Sequence, residues 1–278
     1  MKKKIPAFFT GALLFMLFPY LITILINGLE TGLLNRPLNV EAFLPGIVSK
    51  QISSDCELET VKSQAVIARS NLYRKIREEK DIAGVLKVLR ESLDLSEDYW
   101  CIPDEIYEQA VKETEGQVLF YEGELKLVPY HEISSGQTRS VVEVFHDDSY
   151  SYLKSVDSSA DKQSADYLNS TYIPQQQMPQ ELEVSGRDSS GYVVSLLADD
   201  HALEGEAFRQ GMRLSSANFT IQKVGDKYRF LCKGRGHGLG FSQYGGNEMA
   251  KAGSTYQEIL ETYFPLMEIE QVSDTYWV

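Results

Sequence analysis

G-R-G-H-G-L-G-F-S-Q-Y-G-G-N-E-M-A, from Gly234 to Ala250, is the stretch on which the reading of this chain turns. Glycines at 234, 236, 238 and 240 alternate with Arg235, His237 and Leu239. Glycine loses more backbone freedom on folding than any other residue, so ordinary packing has little use for such a series. The stretch is expected to bend backbone closely around a ligand or a neighbouring segment. A helix should follow, from Ser242 to about Lys251, and a last one from Thr255 to Tyr263, stopped by Pro265.

Upstream of this block the apolar residues alternate in short runs, as in Gly191–Leu197 and Tyr228–Leu231, which reads as strands. Residues 134–180 are rich in Ser, Asp and Gln and read as loops around a groove. Gln117–Tyr121, a turn at Glu122-Gly123, and Glu124–Ile133 read as a hairpin that delivers His131 near its end. Before that the period is helical. Leu58, Val61, Ala65, Ala68, Leu72 and Ile76 form a stripe behind a capping box at Ser54 and Glu57. Glu59, Lys62 and Arg69 recur on a neighbouring face and are expected to converge on one polar surface. Shorter helices are expected over Val40–Lys50, capped by Asn39 and weakened at Pro45, over 81–93, and over Asp104–Glu115. The class is α+β.

With 278 residues there is room for a large core. The net charge of -13 excludes nucleic acid as a partner, and no basic stripe stands out in the sequence to offset it. Three dispersed cysteines, Cys56, Cys101 and Cys232, make no disulfide framework. Lys2, Lys3 and Lys4 precede an apolar run long enough to cross about 30 Å of hydrocarbon as a helix. The expected organisation is a cytoplasmic tail over 1–4, a transmembrane helix over 5–26 and a connector over 27–37. An extracytoplasmic domain over 38–268 and a tail over 269–278 complete it. A secretory leader is the alternative reading of the first segment.

Four stretches together resemble one family. They are Glu59-Thr-Val-Lys-Ser-Gln-Ala-Val-Ile-Ala-Arg69, Tyr130-His-Glu-Ile-Ser-Ser-Gly-Gln-Thr138, Tyr152-Leu-Lys-Ser-Val-Asp-Ser158 and the Gly234–Ala250 block. In order and wording they are similar to the motifs of the stage II sporulation protein D / amidase-enhancer family of bacterial cell-wall proteins, over roughly residues 38–268. The resemblance implies a mixed helix and antiparallel-strand domain with a central cleft, behind a single-pass anchor. It also implies a lytic transglycosylase acting on denuded peptidoglycan strands between N-acetylmuramic acid and N-acetylglucosamine, in sporulation or cell-wall remodelling. The implied partners are glycan strands and a peptidoglycan amidase or a membrane protein.

Such chemistry needs one carboxyl group that acts first as acid and then as base toward the sugar's own 6-hydroxyl. Glu59, Gln51, His131 and His237 are the candidates for that centre. Lys62, Gln64, Arg69, Ser135, Gly136, Ser242, Gln243 and Tyr244 are the candidates for holding sugar. Tyr150, Tyr152, Tyr167 and Tyr172 are aromatics suited to stacking on rings. The chain departs from the family where Gly46-Ile-Val-Ser-Lys-Gln51 stands in place of a segment ending in glutamate. Glutamine has no proton to give and retrieve. Three readings stand at this point: Glu59 carries the acid, the chain is a glycan-binding relative or amidase scaffold without catalysis, or the glutamine is an introduced substitution. The histidines at 131, 146, 201 and 237 lack ligand spacing, so neither a metal nor a cofactor is expected. Glu59 also has a plain structural role open to it, complementing the helix dipole and pairing with Lys62.

Overall fold

The computed structural model describes residues 17–19, 22, 39–93, 103–145 and 147–272. A 3-10 turn, Val40–Phe43, leads into α1 (Leu44–Ser49), with Pro45 in its first turn, where the missing N–H removes no intrahelical bond. Three helices follow: α2 (Leu58–Glu78), α3 (Ile82–Ser92) and α4 (Glu105–Glu113). Next come strands β1 (Gln117–Tyr121), β2 (Glu124–Leu125) and β3 (Tyr130–His131), then a short α5 (Val141–Phe145). The strand-rich part holds β4 (Leu168–Pro174), β5 (Leu182–Arg187), β6 (Val193–Ala198) and β7 (His201–Glu204). After α6 (Gly205–Gly211) it continues with β8 (Phe219–Val224) and β9 (Lys227–Lys233). The chain closes with β10 (Phe241–Ser242), α7 (Gln243–Lys251), α8 (Tyr256–Tyr263) and β11 (Glu268–Gln271). The expected mixture of helices and antiparallel strands is present.

Residues 41–273 form one compact unit, while residues 1–40 and 274–278 form a second, little of which lies among the described residues. In the larger unit α2 is the central element. From Thr60 to Ser70 every residue is buried, polar ones included. The expected apolar stripe is therefore only part of what this helix buries, and each polar side chain on the remaining face requires a partner. Val66 and Ile67 pack with Leu119, Phe241, Ile259, Leu260 and Phe264 in one apolar cluster. A second cluster lies behind the sheet β4-β9-β8, where Phe219, Tyr228, Phe230 and Cys232 meet Val193, Leu196 and Phe208.

Several expectations need correction. Ser54 and Glu57 do not form a capping box: Glu57 is the N-cap of α2 and its side chain makes no cap bond. The cap arrives from α7 instead, where Asn247 Oδ1 accepts from Glu57 N at 2.8 Å and from Thr60 Oγ1 at 3.2 Å. The hairpin does not run to Ile133. β2 ends at Leu125, and His131 belongs to a separate strand that pairs in parallel with β10, Tyr130 opposite Phe241 and His131 opposite Ser242.

The membrane anchor is corrected as well. Residues 5–26 fall almost entirely outside the described residues. Among those described, no helix is long and apolar enough to cross a membrane. The longest of them, α2, carries Lys62, Gln64 and Arg69 in its middle, whereas a span needs about 20 mostly apolar residues. The single-pass topology and the placement that followed from it are therefore set aside.

Candidate functional site

The polar face of α2 meets two separate sets of partners. Near its middle, Gln64 Nε2 donates to Gln51 Oε1 at 2.7 Å. Gln243, the first residue of α7, donates through Nε2 to Gln51 O at 2.7 Å and to Gln64 Oε1 at 3.1 Å. Three glutamines thus close a ring of amide hydrogen bonds where α1's exit, α2 and α7 come together. One turn earlier Glu59 is tied down at both oxygens: Oε1 to Lys62 Nζ at 2.6 Å and Oε2 to Tyr256 N at 2.8 Å. Lys62 also pairs with Glu113 at 2.5 Å. Burial alone would lower the lysine pKa, but the two carboxylates hold it above its ordinary value.

Arg69 does not join this group. It is fully buried and donates all five of its N–H groups: to both oxygens of Glu41, to Thr114 Oγ1, and to the carbonyls of Val111 and Gln117. Tyr73 also donates to Glu41. The expected convergence of Glu59, Lys62 and Arg69 is corrected accordingly. Glu59 and Lys62 pair, whereas Arg69 is a structural cation that ties α2 to α4 and the start of β1.

The glycine block makes its close approach to the protein's own backbone and side chains. Gly234, Gly236, Gly238 and Gly240 all have positive φ, between 67° and 106°. A Cβ at Gly240 would lie 2.1 Å from Pro129 O, and one at Gly238 2.4 Å from the Tyr192 hydroxyl. The cost of the glycines is explained by this threading. Arg139 lies over the Tyr192 ring at 4.7 Å and forms a buried pair with Asp188 at 2.6 Å. It also donates to His237 O at 3.2 Å. Arg139, Asp188 and Tyr192 did not stand out in the sequence, although Arg139 directly follows the Tyr130–Thr138 stretch.

The block and β3 bring His131 and His237 together, with ring centroids 5.9 Å apart. His131 Nδ1 lies 2.9 Å from Leu239 O. A carbonyl only accepts, so Nδ1 carries the proton, and Nε2 is buried without a partner. Burial, with a smaller effect of His237, pushes the His131 pKa down to about 3. His237 accepts from Leu239 N at 3.0 Å, and burial lowers its pKa too. Both imidazoles are therefore uncharged at neutral pH.

Ser242 caps α7 through Gly245 N and donates to Asp161 Oδ2 at 2.8 Å; Ser134 N donates to the same oxygen at 2.6 Å. Asp161, also missed in the sequence, lies just past the Tyr152–Ser158 stretch, and burial raises its pKa. Ser135 N donates to Tyr192 Oη, and Gly136 N donates to Ser134 Oγ. Tyr244 is half-buried beside these groups, its N–H bonded to Glu132 O. Tyr152 is a core residue whose hydroxyl donates to Leu127 O, so it is not a stacking surface.

These contacts overturn the transglycosylase reading. The position where a carboxylic acid was expected is an amide whose Oε1 accepts from Gln64, while Gln243 holds the backbone carbonyl of the same residue. The alternative acid, Glu59, has both oxygens engaged by a lysine and a backbone N–H. Asp161 is wholly enclosed and has no access to a glycosidic oxygen. What remains is a set of amides, hydroxyls and neutral imidazoles. Among the described residues no group of three or more His, Cys, Asp or Glu could hold a metal ion.

A buried polar helix crossed by a glycine-threaded loop is the framework of this site. Residues 31–121 match the family described as Stage II sporulation protein. The chain is 27% identical to the stage II sporulation protein D of Bacillus amyloliquefaciens, over 85% of this chain and 75% of the relative. It is 26% identical to the stage II sporulation protein D of Bacillus subtilis, over the same shares. Over 50 residues it is 46% identical to the amidase enhancer of Bacillus subtilis, covering 18% of this chain and 7% of that protein. The chain is thus similar to stage II sporulation protein D over most of its length, and to that family's model over residues 31–121.

Proposed function

We propose that the chain is a noncatalytic peptidoglycan-binding scaffold that recruits or stimulates a peptidoglycan amidase. The observation carrying this reading is the amide ring of Gln51, Gln64 and Gln243, which stands where cleavage would need a carboxylic acid. The similarity to stage II sporulation protein D supports the cell-wall assignment. The stretch shared with a protein named amidase enhancer supports the amidase link. The binding unit is the domain over 38–268, and Gln64, Gln243, Tyr244, Ser135, Gly136 and Ser242 belong to its recognition surface or position it.

The test uses purified chain with denuded peptidoglycan strands. Retention on the strands is expected, with no anhydromuramoyl ends by mass analysis. Added amidase should release stem peptides from intact peptidoglycan faster when the chain is present. Anhydromuramoyl ends produced by the chain would overturn the noncatalytic reading. An unchanged amidase rate would overturn the scaffold part.

A further inference from the structure

The face of the sheet β4-β9-β8 turned away from the second apolar cluster carries an arrangement at odds with the rest of the molecule. The register places Leu168 opposite Lys233, Ser170 opposite Leu231, Tyr172 opposite Arg229 and Pro174 opposite Lys227. On the other side of β9, Thr220 is opposite Leu231, Gln222 opposite Arg229 and Val224 opposite Lys227. Paired residues share a face. This face therefore carries Lys227, Arg229 and Lys233 along one strand and no carboxylate on any of its three strands. The whole chain, by contrast, has 40 acidic against 27 basic residues.

The cations are held differently. Arg229 lies across the strands, donating from Nε and Nη2 to Ser170 Oγ at 3.1 and 2.9 Å and from Nη1 to Gln222 Oε1 at 3.3 Å. That engages three of its five N–H groups and leaves two for a ligand. Lys227 and Lys233 are exposed. Between and beside the charges stand Leu231 and the exposed Leu168 and Tyr172, the last 53% accessible.

We propose that this face binds a carboxylate-bearing glycan strand laid along β9. The three cations span about 20 Å in a single file, from Lys227 to Lys233. A single file matches a linear polyanion better than the broad plane of a membrane, which the net negative charge of the molecule would also repel. Tyr172 and the two leucines offer flat apolar contact to sugar rings, and Arg229 and the lysines meet their acidic groups. The proposal rests on the peptidoglycan reading above and adds a second, charge-dependent contact surface to it.

The test compares binding of the full chain and of K227Q/R229Q/K233Q to three probes. These are denuded strands with free muramic carboxylates, the same strands with the carboxylates amidated, and phosphatidylglycerol vesicles. The triple variant should bind the acidic strands about tenfold more weakly and lose the salt dependence of wild type. Wild type should be weakened to a similar degree by amidation of the strands. K227E/K233E, which leaves the Arg229 hydrogen bonds intact, should weaken binding at least as much with an unchanged melting temperature.

Equal binding of both strand types by wild type, with the variants unchanged, would overturn the sheet-face proposal and leave the peptidoglycan reading standing. Wild type that holds neither strand type would overturn both. Tight binding to the vesicles, lost in K227E/K233E, without charge-dependent strand binding would assign the face to membranes and refute the proposal.

Discussion

Replacing His131 with asparagine should flatten the acid limb of the stability curve. In the folded chain the imidazole is buried beneath the glycine block and resists protonation until about pH 3. In the unfolded chain it takes up its proton near its ordinary pKa of about 6.5. Between those values the unfolded state binds the extra proton, so stability rises with pH and is lost as pH falls. At pH 5 the unfolded side chain is protonated and the folded one is not, a bias of about 2 kcal/mol against folding; at pH 7.5 the bias is close to zero.

The substituted amide keeps a donor for Leu239 O and has no proton to gain. His237 biases stability in the same direction, and Asp161, with its raised pKa, in the opposite one. Both remain in the variant, so the difference between the two curves isolates His131. Urea unfolding of both proteins at pH 7.5 and 5 is the assay. Wild type should lose about 2 kcal/mol more than the variant over that interval, equivalent to about 4–8 °C in melting temperature for a domain of this size. Parallel pH curves would show that residue 131 is not the buried neutral base described.

Three further substitutions test the architecture. Asp188→Asn leaves Arg139 buried without its counter-charge and should cost about 3–5 kcal/mol in urea unfolding, with loss of soluble protein as the extreme outcome. Gly240→Ala places a Cβ against Pro129 O at a positive φ, so a thermal scan should show a destabilisation well above the ~1 kcal/mol of an ordinary glycine replacement in a helix. Asn247→Ala removes the acceptor at the head of α2 and should cost about 1 kcal/mol while strand binding is retained.

What could be read in the sequence was what depends on near neighbours. The apolar period of α2 located that helix, and the capping box at Thr255 and Glu258 opens the last one at the expected position. The glycines correctly signalled a close approach, but composition cannot tell a ligand from Pro129 and Tyr192. The failures share one cause. The cap on α2 comes from a residue 190 positions away, and the partner of β3 lies beyond residue 240. No local pattern at Ser54 or along 124–133 carries that information. Asp161 and Arg139 were missed because a charged residue in a loop reads as solvated until its burial is seen. Gln51 was the exception: its chemistry marked the position before any geometry was known, and the structure adds its hydrogen bonds to Gln64 and Gln243.

The way α2 is finished has a consequence for how the protein is made. Its first turn is closed by Asn247 and its Glu59 by the backbone of Tyr256, while β1 pairs with β11 at the far end of the domain. The earliest long helix of the domain to emerge during synthesis therefore waits, with its buried polar face unpartnered, for the last helices to arrive. Contacts so distant along the chain slow folding, because the loop must close before they contribute. A chain truncated before residue 243 should stay open, and the nascent protein depends on protection from aggregation until its C-terminal helices are available.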